Sequence, residues 1–301
     1  MTHHLQKNVV RATLMLTIAG GLAAAAPSAQ PQNRRQADRD HYARLSNLAA
    51  GPADPTVDSM RFPLDKWGDL YAWRLLKPHY VSTPVSAFTA ITPPANGSAQ
   101  TRAELDYLLA LQASRTPEDQ AWCEQLAGVY YHPLIVNPSD KRFTANRDNL
   151  FFVGRGLGAW FSQSTLPRTT DLLARVQHDA MIHMVELKLQ YARPRPHHLE
   201  PRLRAQDERI PHGSYPSGHS FVSHVNAEVL ARLAPHRREA LVASAREMAW
   251  SRELLGVHYP SDSEAGRILA QDFVRFLFEN ADFRRDFAKV QQEWSKVAPG
   301  S

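Results

Sequence analysis

Three short clusters of basic and histidine residues lie between positions 188 and 262 and could together hold a tetrahedral oxyanion. They contain, in chain order, Lys188 and Arg195, then Ser217, Gly218 and His219, and finally Arg252, His258 and Asp262. Arginine offers a planar fork of donors that matches two phosphate oxygens, and lysine supplies a compact positive charge. A histidine inside such a cage can attack the anion that the cage neutralises. The residue types therefore predict phosphoryl chemistry.

The second cluster has the features of a helix N-terminus. Ser217 is a favoured capping residue, and Gly218 removes a side chain where backbone must approach an anion. The apolar helix predicted over residues 221–233 follows directly. Free amide groups at such a terminus form a seat for phosphate. A histidine side chain ordinarily titrates near neutrality, so His219 suits the role of a general acid beside that seat.

The third cluster supplies a candidate nucleophile. His258 comes just before Tyr259 and Pro260, and proline is well tolerated in the first turn of a helix. Asp262 is close enough in sequence to bond one imidazole nitrogen of His258, which leaves the other lone pair free to attack.

The local sequences around these clusters resemble those of a known superfamily. Residues 213–219 read Gly-Ser-Tyr-Pro-Ser-Gly-His, residues 256–262 read Gly-Val-His-Tyr-Pro-Ser-Asp, and residues 264–267 read Glu-Ala-Gly-Arg. With Leu-Pro-Arg-Thr-Thr at 166–170, they resemble the phosphatidic acid phosphatase type 2 superfamily, which includes the vanadium haloperoxidases. Within it they are most similar to the soluble class A bacterial nonspecific acid phosphatases. The resemblance covers roughly residues 93–283.

The resemblance implies a metal-independent acid phosphatase acting on small phosphomonoesters, without a cofactor. His258 would attack phosphorus, and His219 would protonate the departing alcohol and then activate water to hydrolyse the phosphohistidine. Asp262 would orient His258. The phosphate-binding residues would be Lys188, Arg195, Ser217, Gly218 and Arg252. The six-residue spacing from Lys188 selects Arg195 over Arg193, which is expected to be solvated or to lie behind the site.

Three alternatives differ from hydrolysis. A vanadium-dependent haloperoxidase would hold vanadate in the same cage, with His258 as its ligand. A phosphotransferase would pass the phosphoryl group to an alcohol. A phosphate-binding protein without activity would have no use for a histidine backed by Asp262.

The other histidines do not form a recognisable metal motif. The chain has 14 histidines, but it contains no His-Glu-x-x-His sequence. His183 and Glu186 share only helical spacing. His197, His198 and His212 are expected mainly at the surface or behind the site, with the option of lining the mouth of a pocket.

The first residues indicate an export signal. Lys7 and Arg11 precede an apolar stretch over residues 12–26, and small residues follow it. This pattern predicts a secretory signal peptide over residues 1–29, cut after Ala25, Ser28 or Ala29. No later stretch is long and apolar enough to span a bilayer, so the mature chain is predicted to be periplasmic or secreted, with no membrane span.

The remaining chain divides into an extension and a catalytic domain. Residues 30–96 are rich in proline and arginine, with short helices expected near 39–49 and 67–76. Residues 97–295 are expected to form a single all-α helical bundle of the acid phosphatase and haloperoxidase type. Helices are predicted over residues 103–114, 171–190, 221–233, 240–250 and 265–278, with a cap at 116–119.

Composition excludes some partners and leaves others open. The formal net charge of +5 is a mild excess, with no basic run that would indicate nucleic acid as a specific partner. The single cysteine, Cys123, excludes an intramolecular disulfide and is expected to be a small core residue. Assembly into a homo-oligomer is left open.

Overall fold

The computed structural model describes residues 55–68, 70–205 and 210–297. Within these ranges the regular elements are helices and no strand occurs, so the all-α prediction is confirmed. The leader predicted over residues 1–29 and the helix predicted near residues 39–49 lie outside the described residues.

Seven long helices form the body of the described chain. They are α1 (Ala99–Ser114), α2 (Pro117–Ala127), α3 (Pro167–Tyr191), α4 (Gly218–Leu233), α5 (Arg238–Leu254), α6 (Pro260–Glu279) and α7 (Ala281–Val297). The five helices predicted from apolar spacing are all present, and each begins earlier than predicted because its first turn carries few large apolar residues. Shorter helices include Leu70–Trp73, where a longer one was predicted, Phe143–Asp148 and Pro196–Leu199.

Local capping explains where two of the helices begin. The Ser98 side chain accepts the amide hydrogen of Thr101 at the start of α1. Thr116 and Asp119 each accept the other's backbone amide, a reciprocal capping box that opens α2, as the sequence predicts.

The core brings the second and third clusters together. Helix α4 packs against both α5 and α6, and its contact with α6 is very close at Gly266. A Cβ atom at Gly266 would lie 2.8 Å from the carbonyl oxygen of Ser217 and 2.9 Å from the amide nitrogen of Phe221. Glycine at this position therefore lets the second turn of α6 approach the first turn of α4 closely.

The proline-rich extension packs on the helical body. The buried carboxylate of Asp179 on α3 accepts the backbone amides of His79, Tyr80 and Val81 at 2.7, 2.7 and 3.0 Å. Gly68 donates its amide hydrogen to the carbonyl of Pro211, in the loop before α4. The described part of the extension is thus held against α3 and against the loop that borders the second cluster.

Two further sequence predictions concern the burial of Cys123 and membrane spans. Cys123 is fully buried in α2, as predicted, and burial raises the pKa of its thiol to about 12. Among the helices of the described ranges, none combines the length and apolar character needed to cross a membrane.

Candidate active site

A cavity of about 220 Å³ opens where the three clusters meet. The predicted site residues that line it are Lys188, Arg195, Gly218, His219, Arg252 and His258. Ser217 and Asp262 are fully buried beside it, and their backbones are joined by a 3.0 Å bond from the Ser217 amide to the Asp262 carbonyl. Residues from four helices and three connecting segments thus converge on one small volume.

The ring of His258 is oriented through one nitrogen. Its Nδ1 lies 3.0 Å from Oδ2 of Asp262, which also accepts the backbone amide of Tyr259. Because a carboxylate oxygen can only accept, Nδ1 carries the hydrogen. The lone pair of the neutral ring is therefore on Nε2, which lies 3.5 Å from Nη1 of Arg195 in the cavity wall.

Asp262 is itself held by a buried charge network that the sequence did not assign. Nη1 of Arg193 donates to Oδ1 of Asp262 at 2.7 Å, and Nη2 lies 3.3 Å from Oε2 of Glu104 on α1. The guanidinium of Arg193 also stacks on the ring of Tyr259, 3.7 Å from its centroid. Arg193 is buried. Of the two predictions for this residue, exposure to solvent is therefore wrong and a location behind the site is correct.

Glu104 extends this network to the first turn of α6. Its two carboxylate oxygens accept the backbone amide of Ser261 at 2.8 Å and the Ser261 hydroxyl at 2.9 Å. Burial raises the pKa of Glu104, and Arg193 opposes that rise. The residue shares the buried face of α1 with Thr101, Leu105 and Leu108. A carboxylate on a helix face that carries no other charge is the sequence signal that could have found it.

His219 is fixed through its other nitrogen. Its Nε2 lies 3.2 Å from the carbonyl oxygen of Ala127 at the end of α2. A carbonyl only accepts, so Nε2 carries the hydrogen and Nδ1 is the nitrogen left for proton transfer. The last carbonyls of a helix also carry partial negative charge, which favours the protonated ring.

The cationic side chains of the cage are firmly anchored. Nζ of Lys188 donates to the carbonyls of Gly213, Ser214 and Pro216 at 3.0, 3.0 and 2.6 Å, and three donors exist only on the charged ammonium. Lys188 thus also shapes the loop that leads to His219. Nη1 of Arg195 donates to the carbonyl of Val257 at 2.7 Å.

Arg252 and the start of α4 complete the cage. The Arg252 carbonyl accepts the amide of His258 at 3.3 Å, so α5 and the candidate nucleophile are directly joined. The Ser217 side chain accepts the amide of Ser220, which confirms the predicted cap. Gly218 forms part of the cavity wall, where the backbone of the first turn can approach an anion.

The positive cage depresses the pKa of the buried imidazoles. Burial lowers the pKa of His258 well below its usual value, and Arg195, Lys188 and Arg252 lower it further. Burial and then Arg252 do the same for His219. His212, which was expected mainly at the surface or behind the site with the option of lining a pocket mouth, is partly buried and lines the cavity, with Nδ1 3.1 Å from Nη2 of Arg195; burial and then Lys188 lower its pKa. A bound phosphate dianion would raise all three pKa values by compensating this charge.

The sequence model of the PAP2 superfamily matches residues 173–285, which carry all three clusters. This segment of the chain is similar to the PAP2 superfamily. A non-specific acid phosphatase from Providencia stuartii is 28% identical, over 72% of this chain and 94% of its own length. A non-specific acid phosphatase from Salmonella typhi is 33% identical, over 46% of this chain and 57% of its own length.

Two solved structures share the fold of this chain. A bacterial vanadium-dependent iodoperoxidase superposes with a TM-score of 0.52 at 20% identity, covering 80% of this chain and 65% of its own. The apo form of a bacterial vanadium-dependent chloroperoxidase gives 0.51 at 13% identity, covering 80% and 60%. The chain therefore spans less than two thirds of either peroxidase. At these identities the likeness establishes the fold and no activity.

Metal-binding side chains are not clustered within the described part of the chain. Among the described residues, no group of three or more histidine, cysteine, aspartate or glutamate side chains could hold a metal ion. His183 instead lies between the Asp179 and Thr83 carbonyl oxygens, 2.8 and 2.9 Å from its two ring nitrogens. Its ring thus helps to attach the extension to α3.

Proposed function

We propose that this protein is a phosphoric monoester hydrolase that works through a phosphohistidine at His258. The observation that carries the proposal is the position of Nε2 of His258. It faces a cavity lined by Lys188, Arg195 and Arg252, while Nδ1 is held by Asp262. The acid phosphatase relatives support the same class of reaction.

The first step transfers the phosphoryl group to the protein. Nε2 of His258 forms a bond to phosphorus as the bond from phosphorus to the ester oxygen breaks. His219 gives the proton on Nδ1 to that oxygen, and an alcohol leaves. The three cations and the amide groups at the start of α4 neutralise the phosphoryl oxygens during transfer, a task that metal ions perform in other phosphoryl-transfer enzymes.

The second step regenerates the protein. Water attacks phosphorus, and Nδ1 of His219 takes the proton that water loses. The bond between phosphorus and Nε2 of His258 breaks, and inorganic phosphate is released. An alcohol that replaces water in this step would give phosphotransfer, so the same residues accommodate that alternative.

Hydrolysis of phenyl phosphate between pH 4 and 8 tests this proposal directly. We expect turnover that persists with excess chelator and is inhibited by vanadate, because vanadate occupies a phosphate cage. No turnover in any condition would contradict the proposal. Absent turnover, with oxidation of bromide or iodide by peroxide once vanadate is added, would instead identify a haloperoxidase with His258 as the vanadate ligand.

We expect replacement of Glu104 by glutamine to lower kcat about 10- to 100-fold with little change in KM. The amide keeps the shape of the side chain but removes one of the two carboxylate charges that Arg193 contacts, the other being that of Asp262. Because Asp262 orients His258, we expect the imidazole to be held less accurately. Steady-state kinetics and thermal denaturation together provide the measurement. Glu118→Gln, at an exposed position on α2, is the matched control. A lower melting temperature with unchanged kcat would limit Glu104 to a purely structural role.

We also propose that the mature protein is periplasmic or secreted, since Lys7 and Arg11 precede an apolar stretch and small residues. Amino-terminal sequencing of the protein from the producing cell's periplasm or medium tests this proposal, and an intact Met1 would contradict it.

A further inference from the structure

One part of the cavity wall is apolar, and it surrounds His219. Met181 and Met184 from α3 and Val222 from α4 line the cavity, together with Tyr130. Val222 lies one turn after His219, and the Tyr130 ring centroid is 6.5 Å from that of His219. Met184 packs on the start of α4, because a Cβ atom at Gly218 would lie 3.4 Å from its sulfur.

This part of the wall offers few hydrogen-bond partners. The Tyr130 hydroxyl is its one polar side-chain group among the described residues, and burial raises the pKa of that hydroxyl to about 12. Of the cationic side chains that line the cavity, Arg195 lies next to His258, with its Nη1 3.5 Å from Nε2, and Arg252 is the cation that most lowers the pKa of His219. The cavity lining therefore has a charged part, which carries Lys188, Arg195 and Arg252, and an apolar part that adjoins His219.

We propose that the apolar part, formed by Tyr130, Met181, Met184 and Val222, binds the leaving group, and that it favours alkyl and aryl phosphomonoesters over sugar and polyol phosphates. The proposal rests on the proposed function, because His219 marks the position of the leaving oxygen. The hydroxyl groups of a polyol would lose water there and find few partners, whereas an alkyl chain or ring would gain contacts.

The size of the cavity agrees with this substrate class. An apolar cavity of about 150 Å³ accommodates benzene. At about 220 Å³, the cavity has room for a small ring or short chain near the phosphoryl group. Flexible methionine side chains adapt to leaving groups of different shape, which suits a site that accepts a range of alkyl and aryl groups.

The sharpest test compares n-propyl phosphate with glycerol 1-phosphate, which share one three-carbon skeleton. We expect kcat/KM for the propyl ester to be about 10- to 100-fold higher, the discrimination that an apolar pocket achieves against added hydroxyl groups. The hydroxyl groups of glycerol make it the better leaving group, so intrinsic reactivity works against the expected result. From methyl to butyl phosphate, kcat/KM should rise about fourfold per methylene, equivalent to about 0.8 kcal/mol.

Two variants assign the preference to this wall. Val222→Thr keeps the side-chain shape and adds a hydroxyl group, and it should reduce the propyl-to-glycerol ratio about fivefold or more. Met181→Gln should act in the same direction and provides a second test if Val222→Thr does not fold. Val242→Thr, on a part of α5 outside the cavity lining, is the matched control and should leave the ratio unchanged.

The outcomes separate this inference from the proposed function. Hydrolysis of both esters with equal efficiency, or a preference for glycerol phosphate, would overturn the apolar subsite and leave the hydrolase standing. A propyl preference that neither folded variant alters would show that this wall is not its source. No hydrolysis of any ester would contradict the proposed function itself.

Discussion

Replacing His258 by alanine is expected to lower kcat for phosphomonoester hydrolysis by about 10⁴-fold or more. Without Nε2 no bond to phosphorus forms, and the substitution leaves only the cage to assist direct attack by water. The cage itself should persist, because Arg195 is anchored by the Val257 carbonyl and Lys188 by three other carbonyls. Phosphate should therefore still bind to the variant.

Rapid acid or base quenching with a radiolabelled substrate measures the missing step. The wild type should carry label on His258 that survives base and is lost in acid, as a phosphoramidate is, and His258→Ala should carry none. His236→Ala, at an exposed position before α5, is the control and should behave as the wild type. Stable labelling of His258→Ala, or turnover within tenfold of the wild type, would refute the nucleophile assignment.

The burial of His258 also affects the pH at which it can attack. An ordinary imidazole is largely protonated below pH 6.5 and cannot act as a nucleophile. Burial, with Arg195, Lys188 and Arg252, lowers the pKa of His258, so its Nε2 stays unprotonated into the acidic range. We therefore expect the proposed phosphate cage to keep His258 able to attack at acidic pH as well.

The pairs inside a cluster could be predicted from spacing, because their members are close in the chain at the ends of helices, whereas the meeting of the three clusters was implied by the resemblance to a known superfamily. His258 and Asp262 are four residues apart, and Ser217 and His219 share the first turn of α4. Local rules of capping and spacing apply directly to such pairs. The fold class followed from apolar periodicity for a similar reason.

The network behind the site could not be derived in this way. Glu104 lies 157 residues before Ser261. Its partner Arg193 was considered in the sequence only as an alternative to Arg195 for binding phosphate. A buried carboxylate on a helix is recognisable, but its partner depends on how α1 packs against the start of α6. The same limit applies to the carbonyl of Ala127 on α2, which orients His219. Every residue has a backbone carbonyl, so the residue type at position 127 does not indicate this contact.

We expect His219→Ala to show a defect that depends on the leaving group. For propyl phosphate the loss of the general acid should slow phosphoryl transfer about 10²- to 10⁴-fold. 4-Nitrophenolate leaves without a proton, so transfer from 4-nitrophenyl phosphate should be nearly unaffected, whereas hydrolysis of the phosphohistidine should be slow. Stopped-flow absorbance should then record a burst of about one nitrophenolate per active site, followed by slow turnover.

The pH dependence gives an independent test of the same proton. Burial and Arg252 lower the pKa of His219, so in the wild type the protonated form is lost as pH rises through that lowered value. A bound phosphate dianion raises the pKa again by opposing Arg252 and Lys188. The rate of propyl phosphate cleavage should consequently fall with rising pH in the wild type, and this fall should disappear from the residual rate of His219→Ala.

The contrast with His258→Ala separates the two histidines. His258→Ala should give no burst with either ester, because it cannot form the phosphorylated protein, whereas His219→Ala should give one with the nitrophenyl ester alone. Equal defects for both esters in His219→Ala would exclude it as the proton donor. His212 would then become the candidate proton donor, because it is the remaining histidine of the cavity lining besides His219 and His258.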